Sequence, residues 1–339
     1  MDTPAHTSAT RLDTLEPSGS RIVLSDLLRW RLAASQLPLS GSTTTDGAGI
    51  QRSRWRGRGI DFDEVRLYQP GDDVRAIDWR VTARTSKAHT KVFREERERT
   101  VLLLIDLRSH LFFGSRHAFK SVVIAHAAAL LGWATLAAGD RIGALVLDDN
   151  SITDIRPQRR HHTLLQLFRK ILQVQQTFVD NQSASPKPRP TGMAATSNST
   201  GMVPLLKHLQ AVCRPGSCIV MLSDFHDWDT QCPTLLFPVV RHSQCFALRV
   251  TDILESQLPV VGSARFRFLN SMRTVDTHRD ALRARFTQLQ ETHQKNWQRD
   301  WRTLQSPTHS LQTHDALLPA LRRLMLARPR AVVDTGAMT

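Results

Sequence analysis

Little in this chain belongs to the usual equipment of enzymes or metal centres. Cysteine is scarce: Cys213, Cys218, Cys232 and Cys245 are all there are in 339 residues, and no two form a Cys-x-x-Cys pair. With no histidine set at finger spacing either, a zinc-finger site is excluded. Cys218 and Cys245 lie inside apolar runs and read as small buried hydrophobes, reduced in a reducing cytoplasm. There is no GxxxxGK[ST], GxSxG, HExxH or GxGxxG, so any nucleotide hydrolysis has to come from a partner. A continuous apolar segment is missing from the first residues, which speaks against a secretory signal. The uncharged stretch Ser121–Ala138 falls short of the roughly 20 apolar residues a membrane span needs, is rich in alanine, and is interrupted by His126 and Gly132. It reads as a core helix, and the expectation is a cytoplasmic protein with no membrane span.

Acidic residues are also outnumbered. Lys and Arg total 45 against 31 Asp and Glu, a net charge of +14. Such an excess favours an anionic partner. Acids and bases are mixed through Asp61–Arg99, so no polybasic tract stands out, and an acidic protein surface is favoured over nucleic acid. A hydrophobic content of 41% is enough for a real core.

Residues 1–18 and 329–339 read as mobile tails. Between them the expected organisation is an N-terminal segment over 19–99 and a larger domain over 100–328. Ser25-Asp26 offers an N-cap for a short helix carrying Leu27, Trp30 and Leu32. From Thr100 onward, continuous apolar runs alternate with helical patterns: Val101–Ile105, Ile142–Leu147, Cys218–Leu222 and Gln244–Val250 are strands buried on both faces. Ser151–Ile155 is an edge strand and Ser310–Thr313 a further strand-like run. Helices are expected over Ser121–Ala138, Thr163–Val174, Val203–Val212, Pro233–Val240, Asp280–Leu304 and Leu317–Leu326. A Ser/Pro-rich stretch, 181–200, interrupts this domain without periodicity and is an insert. The fold class is therefore α/β, a doubly wound and mainly parallel sheet preceded by a smaller N-terminal segment.

In such sheets ligands bind beyond the carboxyl ends of the strands. Three predicted strands end in aspartate, at Asp106, at Asp148/Asp149 and at Asp224. Carboxylates sharing a rim invite a hard cation such as Mg²⁺, although an aspartate after a strand is often a plain turn or cap residue. In the N-terminal segment, Pro70-Gly71 supplies a turn and Asp72-Asp73 a cap. Arg66, Arg75, Asp78 and Arg84 could form a partly buried ion network, with Tyr68 and Trp79 shielding it. This block either fixes how two modules pack or binds a partner.

Several motifs carry a family resemblance. They are the run Gly57–Trp79 (GRGIDFDEVRLYQPGDDVRAIDW), Ala83-Arg84, Glu96-Arg97, Asp106 with Phe113-Gly114, Phe119-Lys120-Ser121, Gly139-Asp140-Arg141, Ser223-Asp224-Phe225, and Asp252…Glu255…Leu258-Pro259. Together, over about Leu27 to Leu326, they resemble the bacterial family called domain of unknown function 58. The resemblance implies a von Willebrand factor A-like fold and association with MoxR-type AAA+ ATPases and other von Willebrand factor A proteins. The role it implies is a chaperone-like one, in assembling or maturing another complex. It also implies a place for a metal, built from Asp-x-Ser-x-Ser after the first strand and a later Asp. Here Asp106-Leu107-Arg108-Ser109-His110 puts Arg108 and His110 at the two serine positions, while Asp224 matches the later acid. A guanidinium beside Asp106 and Asp224 repels a divalent ion and can pair with the carboxylates instead. The expectation is a degenerate metal site of Asp106, Arg108, His110 and Asp224, with no cofactor; an ion, if held, would sit on Asp106 and Asp224. The functional expectation is a non-catalytic interaction module. The alternatives are a Mg²⁺-dependent phosphoesterase or nuclease and a non-specific nucleic-acid binder.

Overall fold

A computed structural model describes residues 16–39, 60–69, 74–95, 98–183, 200–268 and 271–327. They fall into two compact units, one drawn from Met1–Gly41 with Arg99–Thr339 and the other from Ser42–Glu98. The expected mobile tails and most of the expected insert lie outside the described residues.

The chain enters the larger unit through α1 (Leu24–Arg29). The smaller unit follows, an antiparallel hairpin of β1 (Ile60–Leu67) and β2 (His89–Glu95) joined through α2 (Trp79–Thr85). Back in the larger unit come β3 (Thr100–Asp106), α3 (Lys120–Ala137), β4 (Arg141–Leu147), β5 (Ile152–Gln158), α4 (His161–Ser183), α5 (Met202–Val212) and β6 (Cys218–Ser223). The rest is α6 (Gln231–Val240), β7 (Gln244–Thr251), α7 (Ile253–Ser256), β8 (Ser263–Phe268), β9 (Ser271–Asp276), α8 (Asp280–Thr303), β10 (Thr308–Gln312) and α9 (Leu317–Leu326).

Six strands form one sheet in the order β10-β7-β6-β3-β4-β5. The first five run parallel, and β5 returns antiparallel along the edge. Side chains alternate between the faces of a strand. Val101, Leu103 and Ile105 of β3 accordingly join one core with α3, α4 and α9, and Leu102 and Leu104 join the other with α5, α6 and α8. Both faces are covered, which is why the central strands read as unbroken apolar runs. At Gly143 the β4–β5 register slips, and a Cβ there would stand 2.9 Å from the Ile155 carbonyl oxygen. The edge strand can close on β4 at that point because the residue has no side chain.

Helix α3 is buried all round: every residue from Lys120 to Thr135 is inside. Among the described residues it alone is long and apolar enough to cross a membrane, and 89% of that stretch is buried within the fold. One side faces the sheet. The opposite side is roofed by the N-terminal segment, through Ile22, Leu27, Trp30, Ala33 and Ala34. Indole N–H groups anchor the roof, Trp30 Nε1 donating to His126 Nδ1 at 3.0 Å and Trp133 Nε1 to the Leu27 carbonyl at 2.9 Å. Residues 16–39 thus belong to the sheet unit, whereas the composition grouped them with everything up to residue 99. Burial of Leu27 and Trp30 against an apolar helix decides this, and no local pattern announces it. Val23 is the N-cap of helix α1 and makes no side-chain cap, so Ser25-Asp26 is inside the helix and not its cap.

Burial drives the His126 imidazole down to about 4 from its ordinary 6.5. The unfolded chain therefore takes up this proton from pH 6.5 downward, while the native chain resists until about 4. Stability falls as pH drops through that window, by about 3 kcal/mol. Urea unfolding at pH 7 and pH 4, comparing wild type with His126→Gln, checks this: the wild type should lose that much more than the variant, which keeps an acceptor for Trp30 but does not titrate.

Candidate functional site

The carboxyl ends of β3 and β6 lie side by side at the middle of the sheet, and each delivers an aspartate to the rim. Asp106, the last residue of β3, is only 1% exposed. Two residues on, Arg108 folds back over it, with Nε 2.9 Å from Asp106 Oδ1 and Nη2 2.6 Å from Oδ2. The other edge of the same guanidinium grips Asp227, Nη1 to Oδ2 at 2.7 Å and Nη2 to Oδ1 at 2.8 Å. Burial disfavours the Arg108 charge, but the hydrogen bonds and charges of Asp106 and Asp227 outweigh it and hold the pKa above that of an ordinary arginine. Ser223 Oγ donates to Asp106 Oδ2 at 2.8 Å and accepts from the Phe225 amide at 3.0 Å.

A second cation sits beside the first. Lys120, the opening residue of α3, is completely buried, its Nζ 2.7 Å from Asp224 Oδ2 and also bonded to Glu255 Oε1. A lysine at a helix N-terminus opposes the helix dipole, so the two carboxylates have to compensate both that and the loss of water. Burial acts to neutralise Lys120, and Asp224 and Glu255 overcome it and raise its pKa. Conversely, burial would protonate Asp224, but Lys120 and His110 hold its carboxyl well below the usual range. Glu255 is placed by the capping box of α7, where its Oε2 accepts from the Asp252 amide at 3.1 Å. Asp252 in turn accepts from the Ser115 amide and Thr313 Oγ1, both at 2.9 Å, tying the ends of β7 and β10 to the loop before α3.

The stretch after β6 is bent to make this possible. Phe225 adopts φ +54°, a left-handed conformation costing about 1–2 kcal/mol for a non-glycine residue. Its ring is held by Trp297, Trp228 and Trp301 at centroid distances of 5.3, 5.8 and 6.0 Å. The kink turns Asp224 toward Lys120 and, three residues on, Asp227 toward Arg108. His110 Nε2 lies 3.3 Å from Asp224, whose hydrogen bond raises the imidazole pKa against the effect of burial. The His110 ring is 5.9 Å from that of the exposed His226. Arg249 closes the floor, its Nε 3.3 Å from the Asp224 carbonyl and its guanidinium 5.4 Å from the centre of the Trp297 ring.

Of the residues singled out in the sequence, Asp106, Arg108, His110 and Asp224 are brought together. Asp148 is not among them. Its carboxylate accepts from the Asn150 and Ser151 amides, both at 2.8 Å, and from Lys170, which is the turn role. Asp149 accepts from the Ser109 amide at 2.9 Å through its carboxylate and from Thr200 Oγ1 at 3.1 Å through its carbonyl. Sequence reasoning assigned no role to Lys120, Asp227, Glu255 or Arg249. Lys120 heads a long apolar run, a position where an unpaired charge is not tolerated, and that was the available signal.

In the smaller unit, Gly71, Asp72 and Asp73 lie outside the described residues. Asp78 caps α2, accepting from the Arg80 and Val81 amides at 3.0 and 3.2 Å. Arg66 donates to the Leu67 carbonyl at 3.2 Å, and the Tyr68 amide donates to the Ala88 carbonyl at 2.9 Å. Arg75 and Arg84 are exposed, and Trp79 is 68% exposed. The expected shield is corrected at Trp79 alone, which opens α2 and is exposed, whereas Tyr68 is half-buried.

The rim can be tested for two chemistries. Ser223-Asp224-Phe225-His226-Asp227 holds the ingredients of a nucleophile relay, but Ser223 Oγ is buried, donates to a carboxylate and faces no histidine among its hydrogen bonds. Ligand atoms of Asp106, His110 and Asp224 lie within 4.8 Å of one another, the spacing of a cation site. Yet both oxygens of Asp106 are taken by Arg108, and Asp224 is taken by Lys120. An entering divalent ion would meet two fixed positive charges and two acids already neutralised, so these donors do not suit it.

Removing one partner of such a buried pair leaves an uncompensated charge. Lys120→Met should destabilise the fold by about 3–5 kcal/mol, and Lys120→Met with Asp224→Asn should recover part of that loss. Chemical denaturation of the two variants and wild type checks it. A double variant no more stable than the single one would show that charge compensation is not the basis.

The comparisons with known proteins agree with the family resemblance. The family model described as "Protein of unknown function DUF58" matches residues 64–296. The uncharacterized protein Rv1480 of Mycobacterium tuberculosis is 29% identical over 284 residues, covering 82% of each chain. The uncharacterized protein YeaD of Bacillus subtilis is 48% identical over 42 residues, 12% of this chain and 11% of that one. Among solved structures, an aerotolerance-related membrane protein from Bacteroides fragilis aligns with TM-score 0.34 and 12% identity, over 67% of this chain and 96% of that one. The conserved hypothetical protein BatB from Bacteroides thetaiotaomicron aligns with TM-score 0.31 and 10% identity, over 61% and 98%. With its match extending from the small hairpin unit through five of the six sheet strands and into α8, the chain belongs to the DUF58 family.

Proposed function

We propose that this chain is a non-catalytic protein-interaction module of von Willebrand factor A type, working with a MoxR-type AAA+ ATPase in the assembly or maturation of another complex. One observation carries the reading: the acids of the rim are matched by side-chain cations of the same chain, Arg108 on Asp106 and Asp227, Lys120 on Asp224 and Glu255. A hydrolytic carboxylate has to be open to a metal, a water or a substrate proton. Here the strong acids are spent on internal pairs, while His110 and Asp227 remain about one-third exposed at the surface of a rigid frame. A preorganised polar rim of that kind suits recognition of another protein. In this reading the two side-chain cations stand where a divalent ion would otherwise be needed, and the rim works without Mg²⁺. The basic surface complements acidic patches on a partner. It also leaves open binding to nucleic acid through charge alone, which weakens steeply as salt rises.

Two measurements test this. The purified chain, mixed with a MoxR-type ATPase from the same genome and run on size exclusion with a non-hydrolysable ATP analogue, should form a complex. The surface substitution His110→Ala should weaken that complex about tenfold, as expected for a buried interface contact. Calorimetric titration with Mg²⁺ or Mn²⁺ should give no micromolar binding. Chelator-sensitive turnover of a phosphodiester by the isolated chain, or micromolar metal binding abolished by Asp106→Ala, would refute the proposal.

A further inference from the structure

Away from the rim, the first half of α8 leaves the core. Trp297 and Trp301 bury the second half, whereas Leu282, Phe286 and Leu289 form a stripe at i, i+4 and i+7 that is not buried, with Leu289 61% exposed. Leu258, in the segment after α7, and Val275 of β9 wall the other side of a cleft of about 310 Å³. Among the described residues lining this cleft, Arg285 is the one that is not hydrophobic. The approach to β8 adds Val260 and Val261, which are 58% and 62% exposed. These side chains stay partly open at the surface and belong to neither core.

The charges around the cleft are not balanced. Arg279 pairs with Asp276 and Arg283 with Asp280, each three residues away. Among the described residues no carboxylate pairs with Arg285, so the cation on the wall of the cleft is open to an anionic group. The cleft runs beside the stripe from Leu282 to Leu289, about 10 Å of helix. A site for a small lipid would enclose most of its ligand, whereas an apolar helical stripe at this spacing offers the ridges and grooves against which a second helix packs.

We propose that this cleft docks an amphipathic helix of a partner protein, its apolar face against Leu282, Phe286 and Leu289 and a carboxylate of the same helix against Arg285. The inference rests on the interaction-module reading, and it places a second contact away from the rim.

The probe is a displayed library of helical peptides, selected on the full chain and counter-selected on Leu289→Asp, a change at an exposed position that the fold tolerates. Enriched peptides should be amphipathic and acidic, should bind Leu289→Asp at least about tenfold more weakly, and should be outcompeted by lysine-bearing versions on Arg285→Glu. Binding of these peptides should be unchanged by His110→Ala, so loss of the rim contact and loss of the cleft contact can be told apart. A library yielding no cleft-dependent helix, or one dominated by basic or neutral sequences, overturns the proposal. So does saturable binding of dodecanoate that needs Arg285 in the absence of any such helix, which would assign the cleft to a lipid.

Discussion

Carboxylates delivered by buried strands cannot stay charged without cations, and the upper half of the larger unit is organised around that requirement. Moving an acid from water to the end of a central strand costs several kcal/mol. The chain meets this cost with two basic side chains of its own. Arg108 faces two acids with the two edges of its planar fork, the geometry in which guanidinium–carboxylate bonds are strongest. Lys120, a point charge, bridges Asp224 and Glu255 from inside the molecule. The arginine stands at the half-open position and the lysine at the closed one. That division fits their chemistry, because only a fork can hold two acids while one side remains wet.

The cations also couple the rim to the core. Lys120 is the first residue of the most deeply buried helix, so the position of its ammonium is set by how α3 seats on the sheet and under the N-terminal roof. Asp224 and Asp227 depend on a backbone kink at Phe225 that only an over-determined environment sustains, and the cluster of Trp228, Trp297 and Trp301 provides it. Thus α8 does two things: its second half stabilises the kink through the tryptophans, and its first half carries an apolar stripe away from the core.

Much of this was legible in the sequence, for identifiable reasons. The apolar runs of β3, β4, β6 and β7 are unmistakable because both faces of the sheet are covered, and each ends where a polar residue meets the rim. The convergence of Asp106, Arg108 and Asp224 followed from their places at strand ends. Two short antiparallel hairpins, β1–β2 and β8–β9, were not read as strands, because polar and basic residues interrupt their alternation. Lys120, Glu255 and Asp227 are distant in sequence from what they pair with, Glu255 lying 135 residues from its lysine, and no local pattern encodes such a contact. The exposure of Trp79 ran against the expectation drawn from its size, which favours burial but does not compel it.

The larger unit is held together where the chain leaves it for the small unit and comes back. Leu39, near the last residue of the N-terminal roof, accepts a hydrogen bond at 3.4 Å from Nη1 of Arg99, the residue just before the first central strand. Arg99 is itself pinned by its amide to Asp140 and by its carbonyl to Arg141. The larger unit therefore closes on itself where the chain leaves it and returns. Because lengthening a loop costs only logarithmically in entropy, a whole unit can stand between these two residues at little extra cost in closing the larger one.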